Sequence, residues 1–186
     1  HSSLEIESRY LGLTQTCENP YLESLINRVS EMVEKTIDIE GIIDMMKEKD
    51  IEKFKYPKKR GVDIAIAYDE AFNFYYSENL NLLENICNVK YFSPIRDKEV
   101  PNADLIYIGG GYPEIYKEEL SWNMEMIKSI RNNVHRGKYI IAEAGGFMYL
   151  AKTIEDHPMC NIFDAKVHMT DRLQRFGYVN MTLNED

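Results

Sequence analysis

A chain of 186 residues can bury a sizeable core as one domain, or as one domain with an appendage. Its 44% hydrophobic and 28% charged residues are those of an ordinary soluble globular protein. A net charge of −9 argues against nucleic acid as a main partner, since phosphate binding needs a concentrated basic surface, and no apolar run approaches the roughly 20 residues that span a bilayer.

There is no signal-peptide pattern. Cys17, Cys87 and Cys160 are far apart and form no C-x-x-C pair, which suggests neither a zinc site nor a disulfide framework. Reduced thiols in a cytoplasmic protein are the expectation. The chain starts at His1 rather than Met and stops at "LNED", which reads as a fragment of something longer.

Residues 1–19 show little periodicity. A helix is predicted from Asn19 and Pro20 onward, because Leu22, Leu25, Ile26, Val29, Met32 and Val33 recur at helical spacing. "IDIEGIIDMMKEKD" gives a shorter second helix, and the basic cluster "KYPKKRG" (55–61) reads as a solvated linker. After Gly61 the pattern alternates. "VDIAIAY" (62–68) is a strand, "SENLNLLENI" (77–86) a helix, and "VKYFSP" (89–94) a strand. "ADLIYIGGG" (103–111) is a strand, "WNMEMIKSIRNNVHRG" (122–137) a helix closed by Gly137, and "KYIIA" (138–142) a strand leading into the helix "GFMYLAKTI". "NIFDAKVHM" and "FGYVNMTL" are weaker candidates for edge strands. The alternation predicts an α/β domain with a parallel sheet from 61 to 186, preceded over 1–60 by a helical connecting segment.

Sites on such sheets form outside the carboxyl ends of the strands, and two of those ends are rich in glycine. Gly109, Gly110 and Gly111 do not satisfy G-x-G-x-x-G, and no Lys follows at P-loop spacing. They fit either a turn that needs positive φ or a set of N–H groups offered to an oxyanion. Glu143-Ala144-Gly145-Gly146 is a sharp strand-to-helix turn of the kind that displays a nucleophile, with free N–H groups and the helix dipole behind it. Ala144 has no reactive atom, and the residues alone favour a glycine-eased helix start. His1, His135, His157 and His168 read as exposed or incidental. Four aromatics in "AFNFYY" (71–76) exceed what a core strand needs and suggest a wall against another surface.

Taken together, "DEAFNFYYSENLNLLE", "LIYIGGGYPEIYKEELSWNMEM" and "IIAEAGGFMYL" resemble the C-terminal glutamine amidotransferase domain of the cobyrinate a,c-diamide synthase family. "SRYLGL" is similar to the segment that ends that family's N-terminal ATP-binding domain. The resemblance implies a class I, triad-type amidotransferase on a flavodoxin-like sheet. A cysteine in the family's A-E-C-G-G attacks the glutamine amide, while the N-terminal domain uses ATP and Mg²⁺ to activate a corrin carboxylate for amidation in cobalamin biosynthesis. No cofactor is implied for the domain itself. Carried over, Ala144 holds the cysteine position, and the N–H of Gly145 and one N–H of Gly109–Gly111 form the oxyanion hole. Glu143, Gly146 and Tyr149 complete the elbow, and Phe72, Phe74, Tyr75 and Tyr76 face the partner domain or an ammonia path.

Two departures follow. The nucleophile is alanine, either replaced deliberately, which the intact neighbours favour, or lost in this homologue. The family's catalytic histidine lies in a segment downstream of Asp186, and His168 does not match it, so a fragment ending at Asp186 is expected to be inactive. The alternatives are an amidase for another tetrapyrrole, such as nickel-sirohydrochlorin, and a non-catalytic binding module on the same fold.

Overall fold

A computed structural model of the chain describes residues 6, 14–47, 55–171, 174, 177, 178 and 180. It divides into two compact units, His1–Lys55 and Tyr56–Asp186, five residues before the boundary read from sequence. The "SRYLGL" segment and most of "FGYVNMTL" lie outside the described residues.

In the first unit a 3-10 turn, Thr16–Glu18, precedes α1 (Leu22–Thr36) and α2 (Ile39–Met45). Asn19 prepares the entry to α1 by accepting the Tyr21 N–H, and Asp38 caps α2 by accepting the Gly41 N–H, both at 3.0 Å.

The second unit is built on four parallel strands: β1 (Asp63–Ala67), β2 (Asn88–Phe92), β3 (Leu105–Ile108) and β4 (Tyr139–Ala142), in the order β2-β1-β3-β4. The order reverses between β1 and β3, so the switch-point crevice of the sheet opens at that seam. Alternation assigns the two faces. Ala65, Ala67, Ile106 and Ile108 join Leu120, Met126, Ile127 and Ile130 in the larger core, beneath α4 (Lys117–Trp122) and α5 (Met124–His135). Ile64 and Ile66 pack with Leu80, Leu83 and Ile86 of α3 (Ser77–Ile86) on the other face. Each fully buried isoleucine contributes about 1.5–3 kcal/mol by leaving water.

Two elements differ from the sequence reading. The helix expected over 122–137 is α5, which starts at Met124, and a short helix that was not expected, α4, precedes it; Asn123 stops α4 and caps α5. Its side chain accepts the Met126 N–H and donates to the carbonyls of Pro94 and Asp97. The helix after β4 does not run through Ile154. α6 spans Gly145–Leu150, and the carbonyls of Tyr149, Leu150 and Ala151 accept N–H groups of Cys160, Ile162 and Asn161 rather than continuing a helix. Thr153–Ile154 is instead β5, the centre of a small sheet with β6 (His157–Pro158) and β7 (Lys166–Val167). The β-like reading of "NIFDAKVHM" corresponds to β7, and His157 is in β6.

Candidate active site

The carboxyl ends of β1, β3 and β4 converge with the first turn of α6. Glu143 leaves β4 with its N–H bonded to the Ile108 carbonyl at 3.0 Å. Ala144 then adopts φ 43°, ψ −108°, the first-central geometry of a type II′ turn, which favours glycine. Its side chain is exposed. α6 begins at once with Gly145 and Gly146, and Gly145, as the first helical residue, has no carbonyl one turn back for its N–H.

The glycines interlock. A Cβ on Gly146 would lie 2.1 Å from the Ile108 carbonyl oxygen, so α6 touches β3 backbone to backbone. A Cβ on Gly145 would lie 2.7 Å from Pro113 and 3.1 Å from the Gly111 nitrogen, and one on Gly111 only 2.0 Å from the Ala71 carbonyl oxygen. A Cβ on Gly110 would be 3.7 Å from that of Ala144. The two glycine turns read separately from the sequence are thus one structure, with the backbone of Gly111 packed against Gly145, next to residue 144.

Two of these glycines have their N–H groups engaged elsewhere. Gly109 N–H donates to the Tyr75 hydroxyl at 2.7 Å. Gly146 N–H donates to the carbonyls of Gly109 and Glu143, at 2.9 and 2.8 Å. Both glycines serve close packing, and Gly110 is paired with Phe74 in an antiparallel bridge, which leaves the N–H groups of Gly111 and Gly145 without a backbone partner among the described residues.

The aromatic stretch also needs correction. Phe72 is fully buried, 5.4 Å from the ring of Tyr149 in the core, so it faces no partner. Tyr75 is half-buried, between Tyr68 and Tyr107. Phe74 is partly exposed and bridges to Gly110 through its N–H, at 3.1 Å. Tyr76, 78% exposed, is the one that stands out into solvent. Tyr149 lies wholly buried within α6, next to Cys160.

Sequence reading missed two side chains. Asp69, buried after β1, accepts from the N–H groups of Ala71, Phe72 and Ile95 and from the Ser93 hydroxyl, at 2.8 to 3.2 Å. Burial holds its carboxyl above the usual range against the lowering effect of these bonds. It thereby fixes the loop on which Gly111 rests, and an Asp followed by two N–H groups in turn geometry was its only signal. Tyr107 donates to Glu143 at 3.0 Å, with its phenol pushed up to about 12 by burial and then by that carboxylate. Both line a largely apolar recess of about 280 Å³ between α3 and the sheet, with Ile64, Leu83, Leu105 and Ile141.

Neither described free thiol replaces a nucleophile at 144. Cys87 is buried in the α3 core, and Cys160 is buried with its thiol pushed up to about 12, far from the depressed values of reactive cysteines. Among the described residues no described contact joins a histidine to Ala144, and no group of three or more His, Cys, Asp or Glu converges as a metal cluster. No helix among them is long and apolar enough to cross a membrane.

Residues 63–186 match the CobB/CobQ-like glutamine amidotransferase domain. The chain is 41% identical over its whole length to cobyrinate a,c-diamide synthase of Clostridium acetobutylicum, of which it spans 43%. It is 42% identical to the enzymes of that name from Clostridium tetani and Methanocaldococcus jannaschii, over 98% and 100% of the chain and again 43% of each relative. The chain belongs to the CobB/CobQ-like glutamine amidotransferase domain family, and it spans less than half the length of these curated relatives.

Proposed function

We propose that this chain is the glutaminase part of an ATP-dependent enzyme that amidates the a and c carboxylates of a corrin ring. The observation that carries the reading is Ala144: a non-glycine residue in a glycine-favoured conformation, exposed, with N–H groups of two neighbouring turns beside it. Holding a Cβ there against strain makes sense where a side chain must be displayed to a substrate.

In this reading position 144 belongs to a thiol nucleophile. The thiolate attacks the side-chain carbonyl carbon of glutamine, and the oxyanion is held by the N–H groups of Gly145 and Gly111. The C–N bond breaks, ammonia leaves with the proton supplied by the general acid, and water hydrolyses the thioester to glutamate. The resemblance puts that acid/base on a histidine downstream of 186. With alanine at 144 no acyl-enzyme forms. Ammonia release, corrin amidation and the ATP and Mg²⁺ they require are assigned to the full-length protein, on the strength of relatives named cobyrinate a,c-diamide synthase. Buried unpaired thiols support a cytoplasmic setting.

The alanine itself favours a second reading, a glutamine-binding module without turnover. The test is glutamate release from glutamine by the full-length protein, unaltered and as Ala144→Cys. Release by Ala144→Cys alone is expected, with the unaltered protein binding glutamine but releasing none. Equal release by both forms removes position 144 from the mechanism.

A further inference from the structure

We propose that Tyr75 is a positioning residue for the oxyanion donors: its hydroxyl is spliced into the β1–β3 ladder and sets which N–H groups of the Gly109–Gly111 turn face residue 144. The inference rests on the glutaminase reading above.

The ladder shows the splice. Tyr68 N–H bonds the Phe92 carbonyl on the β2 side, so by alternation the Ala67 carbonyl faces β3. The Ile108 carbonyl accepts Glu143 N–H on the β4 side, so Gly109 N–H faces β1. With Ile66 opposite Tyr107, the next bond in register is Gly109 N–H to the Ala67 carbonyl. The Tyr75 hydroxyl stands in its place, accepting from Gly109 N–H at 2.7 Å and donating to the Ala67 carbonyl at 2.5 Å.

Two bonds in series replace one of about 2.9 Å, so the strand ends are splayed at the switch-point seam by up to roughly 2 Å. The fit is specific to this pair. A Cβ at Gly109 would fall 2.5 Å from the Tyr75 ring, which Tyr68 and Tyr107 hold from two sides. Burial keeps the phenol protonated, and therefore a donor to Ala67, across the physiological range. With Gly109 N–H tied to the hydroxyl and Phe74 N–H tied to the Gly110 carbonyl, the turn is anchored at both residues before Gly111, whose nitrogen lies beside Gly145.

Tyr75→Phe keeps the ring and removes the splice. Gly109 N–H is then left to close on Ala67, which rotates the turn. In full-length protein carrying Ala144→Cys, kcat for glutamine hydrolysis is expected to fall about 10- to 100-fold with KM within about twofold, because oxyanion donors act in the transition state. Alkylation of the introduced thiol by iodoacetamide, which forms no oxyanion, keeps its rate. A kcat within twofold of the parent overturns the proposal, as does a joint loss of KM, alkylation rate and melting temperature. In the chain with alanine at 144, Tyr75→Phe is expected to shift the amide resonances of Gly109, Gly110 and Gly111, and unshifted resonances also overturn it. A parent that hydrolyses no glutamine refutes the glutaminase reading instead, and the amide resonances then decide the splice by themselves.

Discussion

Ala144→Gly should stabilise this protein, against the usual direction of alanine-to-glycine changes. At an ordinary position the change costs about 0.4–1 kcal/mol, because glycine frees the unfolded chain. At 144 the folded backbone sits at φ 43°, ψ −108°, where an L-residue carries about 1–3 kcal/mol of strain that glycine does not. The methyl group is exposed, so its removal opens no cavity. The difference is a net gain of about 0.5–2 kcal/mol. Urea unfolding followed by circular dichroism reads it directly. With a slope of about 1–3 kcal/mol/M, a gain of 1 kcal/mol moves the midpoint up by roughly 0.3–1 M at constant slope. A midpoint that falls would mean that residue 144 is not strained, and the argument that the turn is shaped to display a side chain would go with it.

Gly146→Ala tests the contact between helix and strand. Its Cβ would meet the carbonyls of Ile108 and Gly109, at 2.1 and 2.8 Å, backbone atoms that cannot rotate aside. A stability loss of about 1–3 kcal/mol, read from a lower urea midpoint, is expected despite alanine's better helix propensity. The aromatic stretch is tested by a pair of changes. Phe72→Ala should cost about 3–5 kcal/mol as a core truncation, whereas Tyr76→Ala should stay within about 0.5 kcal/mol. Equal effects would contradict the burial difference between them.

The sheet was readable because its signals are local. β1 and β3 are apolar runs that stop at turn residues, and α3 and α5 carry apolar positions at helical spacing. α4 was missed because six residues with one fully apolar core position, Leu120, show no period. α6 is shorter than its sequence pattern because what ends it is the return of 160–162 onto the carbonyls of 149–151, ten to twelve residues back along the chain, and no local pattern encodes that. The site was half readable. Glycines at both strand ends marked it, but which N–H groups remain available depends on Tyr75, 34 residues from its partner Gly109. The same distance effect hid Phe72: it sits in one aromatic run with the partly exposed Phe74 and the exposed Tyr76, and only the fold turns it inward against Tyr149.

The strain at Ala144 bears on how firmly the turn around it is held. A turn under no demand relaxes first where it is strained, yet here five glycines, Pro113 and the Phe74–Gly110 bridge still enclose a positive-φ alanine. Each of these contacts needs the others. Gly145 tolerates no Cβ because Gly111 is close, Gly111 tolerates none because Ala71 is close, and Ala71 is held there by Asp69. Such mutual dependence keeps a strained residue in place whatever its side chain. Alanine and cysteine share the same Cβ, so Ala144→Cys adds a sulfur at an exposed position and asks nothing of the backbone. On the proposed glutaminase reading, a thiol introduced at 144 would therefore meet surroundings that need not rearrange, and its effect would be a matter of chemistry rather than of folding.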